Sequence, residues 1–98
     1  MLNYEDAVAT AEKELANVDD LPEGDSLVLL LQYTIERPFG WVFFYTSRLY
    51  RDTGEIKYAL AGNAPLIVNR RSGEVVTTGT ARPVEHYIAE YEARIGLT

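Results

Sequence analysis

Apolar residues at helical spacing predict a helix near each end of the chain. The first covers residues 3–17, where Asn3 is a suitable N-cap. Its stripe is formed by Tyr4, Val8, Ala11, Leu15 and Val18. The last helix opens at Arg82-Pro83, since proline suits a first position that needs no amide partner, and Gly96 ends it. Its stripe is formed by Val84, Tyr87, Ile88, Tyr91 and Ile95.

Four stretches between these helices predict strands. Alternation over residues 27–36 places on one face Leu27, Leu29, Leu31, Tyr33 and Ile35. Residues 41–48 start apolar on both faces, which is typical of an interior strand. Residues 66–70 and 74–79 predict a hairpin around Arg71-Ser72-Gly73. Before this hairpin, Asp52-Thr53-Gly54 predicts a turn, and Ile56 to Leu60 is either a short helical turn or a strand.

These elements predict one α+β domain over residues 1–98, in the order α-β-β-β-β-α. The strands are expected to form a mainly antiparallel four-stranded sheet packed by the N- and C-terminal helices. Because each helix has a single apolar stripe, both are expected to cover the same face. The opposite face is then partly exposed or covered by a partner, and it carries Val28, Leu30, Val42 and Phe44 or their alternates.

The net charge of −6 is placed unevenly, because residues 1–25 hold eight acidic residues and one lysine. An acidic front end disfavours nucleic acid, whose phosphates need a basic face, and it permits a basic protein partner. The alternative is a solvated helix face. The sequence lacks cysteine, a signal-like N-terminus and an apolar run near the roughly 20 residues of a membrane span, so a cytoplasmic protein without membrane contact is expected.

Charged and aromatic residues provide the candidates for partner binding. Acidic side chains steer a basic partner, and arginine anchors interfaces. The candidates are therefore Asp19, Asp20, Glu23, Asp25, Arg48 and Arg51. An aromatic cluster serves either core packing or a protein-binding surface, and it contains Phe39, Trp41, Phe43, Phe44, Tyr45 and Tyr50. An RNA-binding sheet would need a richer basic surround.

Candidate chemistry is sparse. A single histidine without cysteine cannot supply the ligands that zinc prefers, and the acidic cluster lacks EF-hand spacing. His86 lies beside the apolar stripe of its helix, and the serines lack a nucleophile-elbow pattern. The Gly62-Asn63-Ala64-Pro65 corner is a poor phosphate cradle, because its proline removes an amide donor. The sequence therefore predicts neither a catalytic residue nor a cofactor or metal.

Three short motifs follow one another along the chain. They are Phe39-Gly40-Trp41-Val42-Phe43-Phe44-Tyr45, the corner that ends at Pro65, and Thr78-Gly79-Thr80-Ala81-Arg82-Pro83-Val84-Glu85. In this order they resemble the YrhB-type domain, also called immunity protein 35, over nearly the whole chain. The positions that carry the resemblance are interpreted as structural: Gly40, Trp41, Phe44, Gly62, Asn63, Pro65, Gly79 and Pro83.

The resemblance implies an immunity protein of a bacterial polymorphic-toxin system, which binds a cognate toxin domain, blocks it by occlusion and performs no catalysis. It implies no catalytic residues, and the chain is expected to be a monomer or a homodimer. The alternative is a chaperone-like or general protein-binding module that uses exposed apolar sheet surface. A small enzyme or ligand-binding domain ranks third and would need a deep pocket that joins His86 to two carboxylates.

Overall fold

The computed structural model describes residues 1–18, 21, 23–58 and 64–96. The helices are α1 (Tyr4–Leu15), α2 (Arg48–Thr53) and α3 (Val84–Arg94). The strands are β1 (Leu27–Leu29), β2 (Ile35–Arg37), β3 (Gly40–Phe43), β4 (Tyr45–Ser47), β5 (Leu66–Asn69) and β6 (Val75–Thr77). Antiparallel strands between two packing helices confirm the predicted α+β fold class.

The strands form one four-stranded sheet and one two-stranded ribbon. The sheet has the order β2-β3-β5-β6, and β1 pairs with β4, all antiparallel. Each of the first two predicted strands is therefore split into two. Leu29 pairs with Tyr45 and Ile35 pairs with Val42, so one side of this long hairpin has three more residues than the other. The extra residues Leu31–Tyr33 form a single 3₁₀ turn, which we call the hairpin insert.

The hairpin insert corrects the prediction that Leu27, Leu29, Leu31, Tyr33 and Ile35 share one face. Leu27 and Leu29 pack in the cluster under α1, whereas Ile35 packs in the cluster under α3. Leu31 and Tyr33 are 44% and 60% exposed. The prediction was wrong because an odd number of inserted residues moves the following side chains to the other face.

The two helices lie on opposite faces of the four-stranded sheet, so the prediction of a shared face was wrong. The buried cluster with α1 contains Ala7, Ala11, Leu15, Trp41, Phe43, Leu66 and Val68. The cluster with α3 contains Phe39, Val42, Ile67, Ile88 and Tyr91. Central strands β3 and β5 are apolar at consecutive positions because both of their faces are covered. The face predicted to be open, which includes Val42, is thus packed against α3.

The ends of both helices lie close to their predicted positions. The Asn3 side chain accepts a hydrogen bond from the Asp6 N–H at 2.8 Å, and the Asp6 carboxylate accepts one from the Asn3 N–H at 3.4 Å. This capping box confirms the predicted N-cap. Pro83 is the N-cap of α3 rather than its first helical residue, and Gly96 follows the helix with a φ of +81°.

Helix α2 was not predicted. Its N-cap is Ser47, whose hydroxyl accepts a hydrogen bond from the Tyr50 N–H at 3.2 Å. Gly54 ends it with a φ of +72°, so the predicted turn at this glycine is a helix C-terminus. A 3₁₀ turn at Ile56–Tyr58 supports the helical interpretation of that segment, whose remaining residues 59–60 lie outside the described ranges.

A polar network attaches the C-terminal half of α3 to the β5–β6 hairpin. The Asn69 amide donates to the Tyr91 hydroxyl at 3.0 Å, and that hydroxyl donates to the Glu74 carboxylate at 3.0 Å. The Arg94 guanidinium donates to the same carboxylate at 3.0 Å and lies 4.9 Å from the Tyr91 ring. The helix is thus held to the sheet by directed bonds as well as by apolar packing.

Candidate functional site

A concave surface lies where the end of α1 faces β1. It is an open cleft of about 520 Å³. Aliphatic residues and polar groups share its lining, and the aliphatic residues are Leu15, Ala16, Val18, Leu21, Leu27, Val28, Leu29 and Leu31. Two of them are unusually accessible, since Val18 is 43% exposed and Leu31 is 44% exposed. We call this surface the α1–β1 cleft.

Charged residues border the α1–β1 cleft. Glu12 from α1, Asp25 from the loop before β1 and Arg51 from α2 all contribute to its lining. The Arg51 guanidinium lies 3.1 Å from the Asp52 carboxylate in an exposed ion pair. The cleft therefore combines aliphatic and polar walls with two lining carboxylates, and the charge of its one lining cation, Arg51, is partly neutralised by Asp52.

Asp25, predicted to contact a partner, has several partners within the chain. Its carboxylate accepts hydrogen bonds from the buried Ser47 hydroxyl and from the N–H groups of Ser26 at 2.7 Å and Leu49 at 3.1 Å. Desolvation raises the pKa of Asp25, but these three bonds and the Arg48 charge together hold that pKa below its ordinary value. Asp25 thus joins the start of β1 to the start of α2.

Arg48 reinforces the same junction. Its guanidinium donates to the Ser26 hydroxyl at 3.3 Å and to the Gly24 carbonyl, and it lies 3.8 Å from the Asp52 carboxylate. Its backbone N–H donates to the Ser26 carbonyl at 2.8 Å. These contacts give Arg48 a position in which its charge stabilises the loop before β1.

The structure brings together three of the six predicted partner-binding residues. Asp25, Arg48 and Arg51 lie at the junction of β1 with α2, beside the cleft. Glu23 is exposed, and Asp19 and Asp20 lie outside the described residues. The sequence analysis missed the α1–β1 cleft itself. Gly24 indicates a loop before β1, but this local signal does not reveal that Leu31 is exposed. The exposure of Leu31 follows from the pairing of its hairpin with strands that are distant in the sequence.

Among the residues that carry the family resemblance, Gly40 and Trp41 lie in the middle of the core. A Cβ on Gly40 would come within 2.0 Å of the Val68 carbonyl oxygen. The Trp41 side chain is 4% exposed, with the Tyr4 ring 6.3 Å away in edge geometry and the Arg70 guanidinium 4.8 Å above it. Both positions therefore make close contacts within the fold.

Four further signature positions, Phe44, Pro65, Gly79 and Pro83, also make contacts within the fold. The Pro65 carbonyl accepts bonds from the Thr78 N–H at 3.0 Å and hydroxyl at 2.9 Å. A Cβ on Gly79 would meet the Tyr87 hydroxyl at 2.5 Å. Phe44 packs at the edge of the cluster under α3, the helix that Pro83 caps. Gly62 and Asn63 lie outside the described residues.

His86 has a surface position on α3. Its Nε2 lies 3.4 Å from the Glu90 carboxylate, and its ring packs edge-on against Tyr87 at 5.3 Å. Within the described ranges, His, Asp and Glu residues do not gather in threes as a metal site requires. No helix of the same ranges has the length and apolar character needed to cross a membrane.

Comparison with known proteins identifies the family. The model of the family described as immunity protein 35 matches residues 5–93. The chain is also similar to the "Uncharacterized protein YrhB" of Escherichia coli (strain K12), with 38% identity over 94 residues that cover 96% of this chain and 93% of that protein. Solved structures gave no match. The chain belongs to the immunity protein 35 family.

Proposed function

We propose that this protein is an immunity protein that binds a cognate bacterial toxin domain and neutralises it by occlusion. The observation that carries the proposal is the family match over residues 5–93. The protein acts without catalysis or a cofactor, as a single domain over residues 1–98, in the cytoplasm where the toxin is made. Its partner is a protein rather than nucleic acid or a membrane, and it binds as a monomer or a homodimer.

The acidic front end supports a basic toxin as the partner. Eight of the chain's fifteen acidic residues precede Ser26, accompanied by one lysine. Such a field raises the association rate of a basic partner by about 10- to 1,000-fold at low ionic strength. Fast association serves an immunity protein, because the toxin must be captured before it acts on the cell that makes it.

The alternative of a chaperone-like module loses its main support. That hypothesis required apolar sheet surface left open by the helices, but α1 and α3 cover opposite faces of the four-stranded sheet. Accessible aliphatic residues line the α1–β1 cleft, whose concave shape suits one shaped partner better than many unfolded clients.

Co-expression tests the proposed function. The chain is produced together with the toxin domain encoded beside it, and both growth rescue and complex formation are measured. We expect protection from that toxin and a stable complex on size exclusion, with no protection from a toxin of unrelated sequence. Failure to bind and to protect against the neighbouring toxin would contradict the proposal.

A further inference from the structure

Strand β1 has one edge that faces away from its ribbon. The Leu30 N–H donates to the Phe44 carbonyl at 2.8 Å, and the Arg48 N–H donates to the Ser26 carbonyl at 2.8 Å. In an antiparallel pair such bonded positions alternate with outward-facing ones. The N–H and C=O groups of Leu27 and Leu29 therefore point away from β4, and they have no backbone partner within the described part of the chain.

This open edge borders the α1–β1 cleft. Both outward-facing residues of β1 line the cleft, and so do the exposed Val18 and Leu31. An unpaired strand edge offers a row of backbone donors and acceptors, and the neighbouring cleft offers aliphatic residues that the side chains of an added strand can contact. Together these are the two elements that strand addition requires.

Charge selects the kind of strand that can be added. The acidic residues that line the cleft are Glu12 and Asp25, and its one lining cation among the described residues, Arg51, is paired with Asp52. Residues 1–25 hold eight acidic residues and one lysine. A second copy of the chain would bring equal negative charge to the same edge, which is repulsive. The favoured occupant is therefore a basic segment of a different protein.

We infer that β1 receives an extended segment of the partner protein as an added strand, in which apolar and basic residues alternate. The apolar side chains enter the α1–β1 cleft, and the basic side chains meet the carboxylates that line it. The inference rests on the proposed function only for the identity of the partner, because the edge and the cleft are properties of this chain.

A synthetic peptide tests the surface without the toxin. A short capped peptide of alternating lysine and valine is titrated into isotope-labelled protein, and amide chemical shifts are recorded. We expect saturable shifts at the amides of Leu27, Leu29 and Leu31, with none at α3, and no binding of a matched glutamate–valine peptide. Equal binding of both peptides, or lysine–valine shifts that are absent or lie elsewhere, would overturn the inference.

A pair of variants tests the surface with the toxin domain. Leu29→Pro and Leu29→Ala lose the same side chain, but only the proline removes the outward N–H while the β1–β4 ladder stays intact. We expect Leu29→Pro to bind the toxin at least about tenfold more weakly than Leu29→Ala. If Leu29→Pro does not fold, Leu27→Pro and Leu27→Ala form the second pair.

The outcomes separate the two proposals. A toxin that binds Leu29→Pro and Leu29→Ala equally well contradicts strand addition and leaves the immunity function standing. Peptide shifts at β1 in a protein that neither binds nor protects against its neighbouring toxin contradict the immunity function and leave the strand-addition surface standing.

Discussion

At the scale of single residues, Gly40 and Asp25 are the positions where the fold restricts the side chain most clearly. Gly40 has a φ of +149° and faces the Val68 carbonyl oxygen and the Arg70 nitrogen, both of them backbone atoms. Neither atom moves aside without disturbing the pairing of β3 with β5. Asp25 is constrained by the number of its donors, which join two segments that are more than twenty residues apart.

Replacing Gly40 by alanine is expected to cost at least about 3 kcal/mol of unfolding free energy, because strain and a backbone clash act together. Gly54→Ala is the matched control, since Gly54 has a φ of +72° but no atom within 4 Å of the position that a Cβ would take. It should cost only about 1 kcal/mol. Chemical denaturation measures the unfolding free energy of both variants. If both variants lose the same amount, the positive φ rather than the backbone clash explains the requirement for glycine at position 40.

The Asp25→Asn variant should change how stability depends on pH. The folded-state pKa of Asp25 is lowered, so its stabilising contribution is present above the unfolded pKa of about 3.9 and is lost as pH falls through the folded pKa. The variant should therefore be less stable than wild type at neutral pH, with a gap that narrows in acid. Urea unfolding from neutral pH to below pH 3 measures the gap.

Glu23→Gln is the control for the Asp25 experiment, because it removes an exposed carboxylate from the same loop. A gap that stays constant across the acid range would contradict the role assigned to Asp25. The sequence could not distinguish these two carboxylates, since both lie in one polar loop. What separates them is the buried Ser47, twenty-two positions from Asp25, and that contact has no local signature.

At the scale of elements, the structure holds α3 to the sheet at one end by polar bonds. Tyr91 is the centre of that attachment, because its hydroxyl accepts from Asn69 and donates to Glu74 while the residue is only 4% exposed. Its neighbour one turn earlier, Tyr87, is half-buried beside Gly79. The hydroxyl of Tyr91 is therefore expected to contribute more to the free energy of unfolding than the hydroxyl of Tyr87.

Tyr91→Phe should lower the free energy of unfolding by about 1–2 kcal/mol, because it leaves Asn69 and Glu74 without their shared partner. Tyr87→Phe removes the same hydroxyl from the same helix and should change stability by less than about 0.5 kcal/mol. Thermal and urea unfolding give both values. A Tyr87→Phe loss as large as that of Tyr91→Phe would contradict the assigned network.

The helices and strands were predictable where the residues that determine them are close together in the sequence. The N-cap at Asn3 and the hairpin turn before Glu74 follow from nearby residues, and both helices lie where their apolar spacing places them. The hairpin insert was not predictable, because Leu31 and Tyr33 continue the alternation of a strand. Only the register against β3 and β4 reveals that these residues are extra.

At the scale of the whole molecule, the arrangement is a sheet between two helices, and eight of the fifteen acidic residues precede Ser26 in the sequence. The sequence contained a signal for this arrangement, because Leu66-Ile67-Val68 and Trp41-Val42-Phe43 are apolar without alternation. A single stripe on each helix shows only that each helix buries one side. It does not specify whether the two helices share a face of the sheet.

The charge asymmetry predicts a difference between two matched reversals. Glu12 lies on α1 beside the cleft, and Glu90 lies on α3 across the sheet. Glu12→Lys and Glu90→Lys change the net charge by the same amount. At low ionic strength, Glu12→Lys should slow association with the cognate toxin severalfold, while Glu90→Lys should have little effect. Stopped-flow kinetics measure the rates, and equal slowing by both variants would refute a localised field.

The hairpin insert has a consequence for how this chain tolerates change in length. Leu30 is held by Phe44 before the insert and Ile35 is held by Val42 after it, so the flanking residues keep their partners whatever lies between. Length changes at 31–33 that preserve these two pairings are expected to leave the side chains of both core clusters in place. Since Leu31 also lines the α1–β1 cleft, the contour of the cleft can diversify while the scaffold stays constant.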